Sequence, residues 1–188
     1  MSLPPPDVYS PAEDTSLLLN AGLGIIRPED RVLEIGTGSG EIAAHLQNSG
    51  AQVVATDINP FAASYAYSRG VPVIRCDLFA GICGTFDLIL FNPPYLPTSP
   101  EDRIDDWFEY ALDGGEDGRE TIKRFLADAP SFLSKNGKIL LLISSLTGIS
   151  EVSKLFADTG MITFVVSEES HEGEKLIVLL GMKDLCRV

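Results

Sequence analysis

Short runs of consecutive apolar residues, rich in Val, Ile and Leu, alternate along this chain with stretches whose apolar positions recur every three to four residues. Runs of the first kind suit strands buried on both faces, and stretches of the second suit helices packed over a sheet. The alternation therefore predicts an α/β fold with a mostly parallel sheet. Strands are expected over 31–35, 52–56, 71–75, 86–91 and 138–143. Helices are expected over 41–49, 60–69, 117–133 and 150–157; in the third of these, Ile122, Phe125, Leu126, Ala129 and Leu133 fall on one stripe. Ahead of the first strand, 11–26 reads as a helix, with Ser10 as N-cap, Pro11 at its first position and Glu13 completing a capping box. At the other end, 161–167 and 175–181 are two strands joined by a polar stretch too short for a crossover helix. They should form an antiparallel hairpin.

Composition narrows the class. With 188 residues, 45% of them hydrophobic, the chain suits one domain: an N-terminal arm and helix over 1–29 and a Rossmann-like core over 30–188. No apolar run approaches the ~20 residues of a membrane span, and the N-terminus lacks the pattern of a signal peptide. Three cysteines without CxxC spacing and two histidines suit a reduced, cytoplasmic protein and no metal site of its own. Net charge is −13, and the segment 97–120 carries nine acids against Arg103 and Arg119. A nucleic-acid backbone needs Lys and Arg to neutralise its phosphates, so this balance disfavours nucleic acid as a partner.

The most specific signal follows the run 86–91: Asn92-Pro93-Pro94-Tyr95. Neither proline has an N–H to donate, so the ladder of that strand stops abruptly and leaves carbonyls at the sheet's C-terminal edge. An amide on one side and an aromatic face on the other make a cradle for a planar –NH2 group. Asn92 Oδ1 and the Pro93 carbonyl would accept its two hydrogens, and Tyr95 would stack on its plane. The bland alternative is a Pro-rich turn with a core tyrosine.

A second signal is Glu34 followed by Gly36-Thr37-Gly38-Ser39-Gly40, a strand, a glycine loop and a helix start, where backbone can approach a ligand closely. Alone it also fits a dinucleotide fingerprint. Three acids favour S-adenosylmethionine instead. Glu34 sits inside the strand end, where it could meet the cationic amino-acid part of that cofactor. Asp57 closes the second strand, where a carboxylate can accept both ribose hydroxyls. Asp77 closes the third, where it can accept a hydrogen bond from the adenine amino group. Helix capping is the structural alternative for Asp57 and Asp77.

Together these segments resemble the HemK-type protein-glutamine N5-methyltransferases, in particular the short archaeal and eukaryotic branch that modifies class I translation release factors. The resemblance runs over nearly the whole chain. It rests on Val8-Tyr9-Ser10-Pro11-Ala12-Glu13-Asp14-Thr15, the stretch from Leu33 to Gly40, Thr56-Asp57-Ile58-Asn59-Pro60, Asn92-Pro93-Pro94-Tyr95, and Gly114-Gly115 with Gly118-Arg119-Glu120. It implies a class I S-adenosylmethionine-dependent methyltransferase fold, Rossmann-like, with a seven-stranded sheet in the order 3-2-1-4-5-7-6 and a C-terminal antiparallel hairpin. It further implies cofactor contacts by Thr15, Glu34, Gly36, Gly38, Gly40, Asp57, Asp77, Leu78 and Asn92, and a substrate amide held by Asn92, Pro93 and Tyr95. The implied substrate is the glutamine of the Gly-Gly-Gln loop of a release factor, in translation termination. The implied partner is a small zinc-binding activator on the edge strand from Val71 to Arg75. Other targets of the same chemistry are an exocyclic amine of adenine or guanine in nucleic acid, or a lysine of another protein. Trp107, Phe108 and Tyr110 either line a substrate groove or anchor the acidic segment.

Overall fold

The computed structural model describes residues 4–98, 106–107, 111–171 and 173–184. Its seven strands are β1 (Arg31–Ile35), β2 (Gln52–Asp57), β3 (Val73–Arg75), β4 (Phe86–Phe91), β5 (Leu133–Ser144), β6 (Met161–His171) and β7 (Glu174–Lys183). They form one sheet in the order β3-β2-β1-β4-β5-β7-β6, with β7 antiparallel to both β5 and β6 and the rest parallel. That is the expected order, with the hairpin at one edge and β3 at the other.

Both faces of the sheet are covered, because both faces of its central strands are apolar. Val32, Leu88, Leu90, Leu140 and Leu142 point to one side. There they meet Leu17 and Leu18 of α1 (Glu13–Leu23), Ile42 and Leu46 of α2 (Glu41–Asn48) and Ala66 of α3 (Pro60–Ser68). Leu33, Ile35, Ile89, Phe91, Ile139 and Leu141 point to the other, against Phe125 of α4 (Glu120–Asp128) and Phe156 of α5 (Ile149–Asp158). Each such side chain contributes ~1.5–3 kcal/mol by leaving water, which is why runs without polar alternation become the middle of this sheet. Among the described residues no helix is long and apolar enough to cross a membrane.

Several boundaries depart from the pattern: β3 starts at Val73, not at Val71, whose side chain is buried, and α1 ends at Leu23, not Ile26. The first helix starts at Glu13, not Pro11, and Ser10 caps nothing; instead Thr15 Oγ1 accepts a hydrogen bond from the Ala12 N–H at 3.4 Å. The predicted helix over 117–133 is shorter. Asp117 lies before it, accepting from the Arg119 N–H at 2.9 Å, and its last turn tightens to a 3-10 helix, Ala129–Phe132, at Pro130. β5 begins at Leu133, since a register shift against β4 absorbs residues 134–137 beside Gly137. The polar stretch 168–174 is mostly strand: Glu168, Glu169, Ser170 and His171 pair with Ile177, Leu176, Lys175 and Glu174. Exposed edge strands have no apolar alternation to betray them, because neither of their faces has to be buried there.

Register is what builds the site. Ile35 lies beside Thr56 on one side and beside Phe91 on the other. The residues that follow each of these, Gly36, Asp57 and Asn92, therefore leave the sheet side by side at its C-terminal edge, where ligands of open α/β sheets bind.

Candidate active site

The glycine loop is tied from both ends before it meets any ligand. Thr37 N–H donates to the Thr56 carbonyl at 2.9 Å, and Gly38 N–H donates to Asp57 Oδ2 at 2.8 Å. Gly36, Gly38 and Gly40 all sit at positive φ. At Gly40 there is a second constraint, since a Cβ would lie 2.8 Å from the Ala66 methyl of α3. That glycine lets α2 start close against α3, and it does not line the cavity described below.

Glu34 is 3% exposed. Its Oε2 accepts from Thr37 Oγ1 at 2.6 Å and from the Ala43 N–H at 3.1 Å, which braces the loop against the first turn of α2. Burial pushes its carboxyl up to about 8, against the two hydrogen bonds that favour the charge. Asp57 is held similarly: Oδ2 by Gly38 and Oδ1 by the Asn59 N–H at 2.9 Å, with burial again raising its pKa. Capping of α3 falls to Asn59, whose Oδ1 accepts from the Phe61 N–H at 2.9 Å, so Asp57 is not a helix cap. Asp77, beyond β3, is exposed, and one of its oxygens is bonded to Arg124 of α4. Leu78 follows it at φ +47.

The Asn92-Pro93-Pro94-Tyr95 turn is fixed by a contact that sequence reasoning missed. Asn92 Nδ2 donates to Asp14 Oδ2 at 2.9 Å, across 78 residues of chain. Asp14 also accepts from Tyr9 OH at 3.0 Å and from the backbone and hydroxyl of Thr15. At the other end of the same amide, Asn92 Oδ1 is buried with no hydrogen-bond partner among the described residues. A buried amide oxygen left in this way costs ~1–3 kcal/mol, and it is an acceptor kept for something that arrives. Tyr9 and Tyr95 flank this amide, and burial together with the charge of Asp14 raises both phenols well above their ordinary range, so neither is a phenolate near neutrality.

Beyond the turn, Gly114 N–H donates to the Leu96 carbonyl at 2.9 Å and Thr98 N–H to the Gly115 carbonyl at 3.0 Å. Gly118, at φ +68, lies so close that a Cβ there would be 2.5 Å from the Tyr95 carbonyl oxygen. The glycine-rich stretch is thus a buttress for the turn.

A cavity of about 460 Å3 opens here. Thr15, Glu34, Gly36, Gly38, Asp57, Asp77, Leu78, Asn92, Pro93 and Tyr95 all line it, so every predicted site residue except Gly40 is brought to one place. Trp107 lines it too, whereas Phe108 and Tyr110 lie outside the described residues. Its acids are Asp14, Glu34, Glu41, Asp57, Asp77, Asp113 and Glu120, of which Glu34, raised to about 8, keeps its proton near neutrality; Arg124 is the one guanidinium among the described lining residues. A cavity so charged favours a ligand carrying positive charge and repels phosphate. Among the missed residues, Asp14 and Tyr9 stood inside a recognised segment, but nothing local to it announced their partner.

No protein-family model matches the chain. A Methanocaldococcus jannaschii protein assigned as an N5-glutamine methyltransferase is 40% identical over 181 residues, covering 93% of this chain and 91% of that protein. Methyltransferase HEMK2 of Mus musculus is 36% identical, covering 82% and 80%. The release factor glutamine methyltransferase of Deinococcus radiodurans is 37% identical over 70% of this chain and 52% of its own length. Among solved structures, the E. cuniculi Mtq2-Trm112 complex, responsible for methylation of the translation termination factor eRF1, superposes with a TM-score of 0.79. It is 30% identical and covers 94% of this chain and 99% of that one. The magnesium protoporphyrin IX methyltransferase of Synechocystis, solved with bound SAM, has a TM-score of 0.62 at 17% identity, covers 90% and 77%, and shows the shared fold.

Proposed function

We propose, from the premise that this chain belongs to the protein N5-glutamine methyltransferase family, that it methylates the side-chain nitrogen of the glutamine in the Gly-Gly-Gln loop of a class I translation release factor, with S-adenosylmethionine as donor. The observation that carries this reading is the buried, unpartnered Asn92 Oδ1 on a carboxylate-lined cavity. The relatives from Deinococcus radiodurans and E. cuniculi, which act on release factors, support it. A release factor as substrate also supports a cytoplasmic location.

The cavity fits the donor. Its volume lies within the ~300–1,000 Å3 of small-molecule sites, and its surplus of acids suits a ligand with ammonium and sulfonium charges. Thr15, Glu34, Gly36, Gly38, Asp57, Asp77 and Leu78 are the residues that would hold it. When bound, S-adenosylmethionine supplies a methyl group activated by its sulfonium.

The chain's own residues address a different difficulty, the weak nucleophilicity of an amide nitrogen whose lone pair is delocalised into its carbonyl. Asn92 Oδ1 accepts one N–H of the substrate amide and the Pro93 carbonyl accepts the other. Together they fix the direction in which the nitrogen presents itself, and Tyr95 covers its plane. Orientation of this kind supplies a large share of a barrier reduction. The two acceptors also stabilise the positive charge that grows on nitrogen. No strong base is required, since the N–H becomes acidic as the new bond forms, and neither flanking tyrosine is available as one.

A small zinc-binding activator is proposed for the β3 edge. Ile74 is 43% exposed there, and the neighbouring α3 leaves Phe61 and Tyr67 in solvent. An apolar edge strand of this kind invites pairing by a partner, and the E. cuniculi relative is a two-protein complex.

The test is transfer of labelled methyl from the cofactor to purified release factor, with and without activator. Label is expected in the wild-type factor and none in one whose loop glutamine is replaced. Equal labelling of both, or labelling of DNA or RNA instead, overturns the assignment.

A further inference from the structure

We propose that Asp14 is a positioning residue that dictates which end of the Asn92 amide faces the substrate. This rests on the reading of Asn92 as the substrate clamp and adds to it the device that sets the clamp's polarity. An asparagine side chain turned over by half a rotation exchanges oxygen for NH2 at almost the same position, so the clamp is useful only if something forbids the turned form. An –NH2 of asparagine aimed at an –NH2 of glutamine has no acceptor between them.

Asp14 lies in the first turn of α1, a common place for an acid, yet it does not behave as a surface capping residue. It is 3% exposed, and its hydrogen bonds reach outside its own helix. Oδ1 accepts from Thr15 N–H and, at 3.1 Å, from Thr15 Oγ1; Oδ2 accepts from Tyr9 OH at 3.0 Å and from Asn92 Nδ2 at 2.9 Å. A carboxylate offers about four acceptor positions, and here four donors fill them. An acceptor held in this way can face only the NH2 end of Asn92. The oxygen is consequently turned away, and that oxygen is the one found buried and unpartnered among the described residues. Tyr9 completes the arrangement from the segment before α1, holding Oδ2 from a second side. A helix-start acid serving stability alone has no use for either of these two distant partners.

The experiment is a polarity swap, measured on the enzyme with its activator and with release factor as substrate. Asp14→Asn keeps shape, and its remaining oxygen still serves Thr15, but it presents NH2 to Asn92 and so favours the turned amide. Its kcat is expected to fall about 100-fold, the scale of losing one preorganised hydrogen bond in a transition state, with cofactor affinity by calorimetry unchanged. Asn92→Asp alone sets two carboxylates against each other and is expected to be as poor. The double variant, Asp14→Asn with Asn92→Asp, restores a donor facing an acceptor and leaves an oxygen toward the substrate. It should recover at least about tenfold over either single change, a coupling that separate structural damage does not produce.

Asp14→Asn with near-parental kcat overturns the inference, as does a double variant no better than its parents. Loss of cofactor affinity in Asp14→Asn, in step with its loss of turnover, also overturns it, because Asp14 then serves the cofactor through Thr15. Asn92→Ala with near-parental kcat marks a different failure, that of the clamp itself.

Discussion

Gly118→Ala puts the buttress behind the active turn to the test, because its cost has two separable parts. The first is backbone: Gly118 sits at φ +68, and a side chain in the left-handed region costs ~1–2 kcal/mol. The second is contact. The new Cβ would stand 2.5 Å from the Tyr95 carbonyl oxygen, where ordinary contact begins at 3.4 Å, so the backbone of the turn or of the buttress must yield by about 0.9 Å. Gly114 and Gly115 tie the buttress to Leu96 and Thr98, on the far side of the same turn, so the displacement passes to Asn92-Pro93-Pro94-Tyr95 and is not relieved locally. A shift of ~1 Å in a positioning group costs about 100-fold in rate, or ~3 kcal/mol in the barrier. Gly81→Ala is the control. Gly81 has φ +83 and nothing within 4 Å of its would-be Cβ, so it carries the backbone cost without the displacement. Thermal melting and kcat for release-factor methylation are measured for both variants. Both should melt lower, but only Gly118→Ala should lose about two orders of magnitude in kcat. If the two variants have equal kcat, the turn is not positioned from behind and the reasoning is refuted.

The buried Glu34 gives a pH signature. Its carboxyl titrates at about 8 in the folded protein against an ordinary 4.5, so between those values the folded state holds a proton that the unfolded state has released. Stability is therefore lost as pH rises through that window, and Glu34→Gln escapes the loss. The melting temperature of the variant minus that of the parent should widen from about pH 4.5 to 8 and stay flat on either side; a difference independent of pH would show that Glu34 is charged throughout. Asn92→Ala should lower turnover by several orders of magnitude with cofactor binding by calorimetry nearly intact, and retained turnover would remove the amide clamp. Ile74→Lys on β3 should abolish capture of the activator in a pull-down and leave the melting temperature of the isolated chain unchanged; undiminished capture would place the partner elsewhere.

Much of this molecule was legible because its chemistry is local. The strands and the terminal hairpin followed from apolar runs and from the length of the last connection, and the strand order from the family resemblance. Proline at 93 and 94 ends a strand wherever that strand lies. Glycines at 36, 38 and 40 permit a left-handed loop whatever packs against them, and all three adopt it. Three of the misjudged boundaries share a cause. Ser10, the start of α4 and the polar half of β6 are solvent-facing, where no burial requirement writes a pattern into the residues.

By itself the sequence determined which segments become strands, where β1 to β4 stop, and that an amide, an aromatic ring and several carboxylates stand at those stops. Only the folded chain decided how they are paired. Asp14 meets Asn92 across 78 residues, Asp77 meets Arg124 across 47, and Gly118 closes on the Tyr95 carbonyl. The physical reason is that a side chain's partner depends on which strands are neighbours and in what register. A shift of one residue in any of them would exchange every contact at the sheet's edge while leaving local propensities untouched.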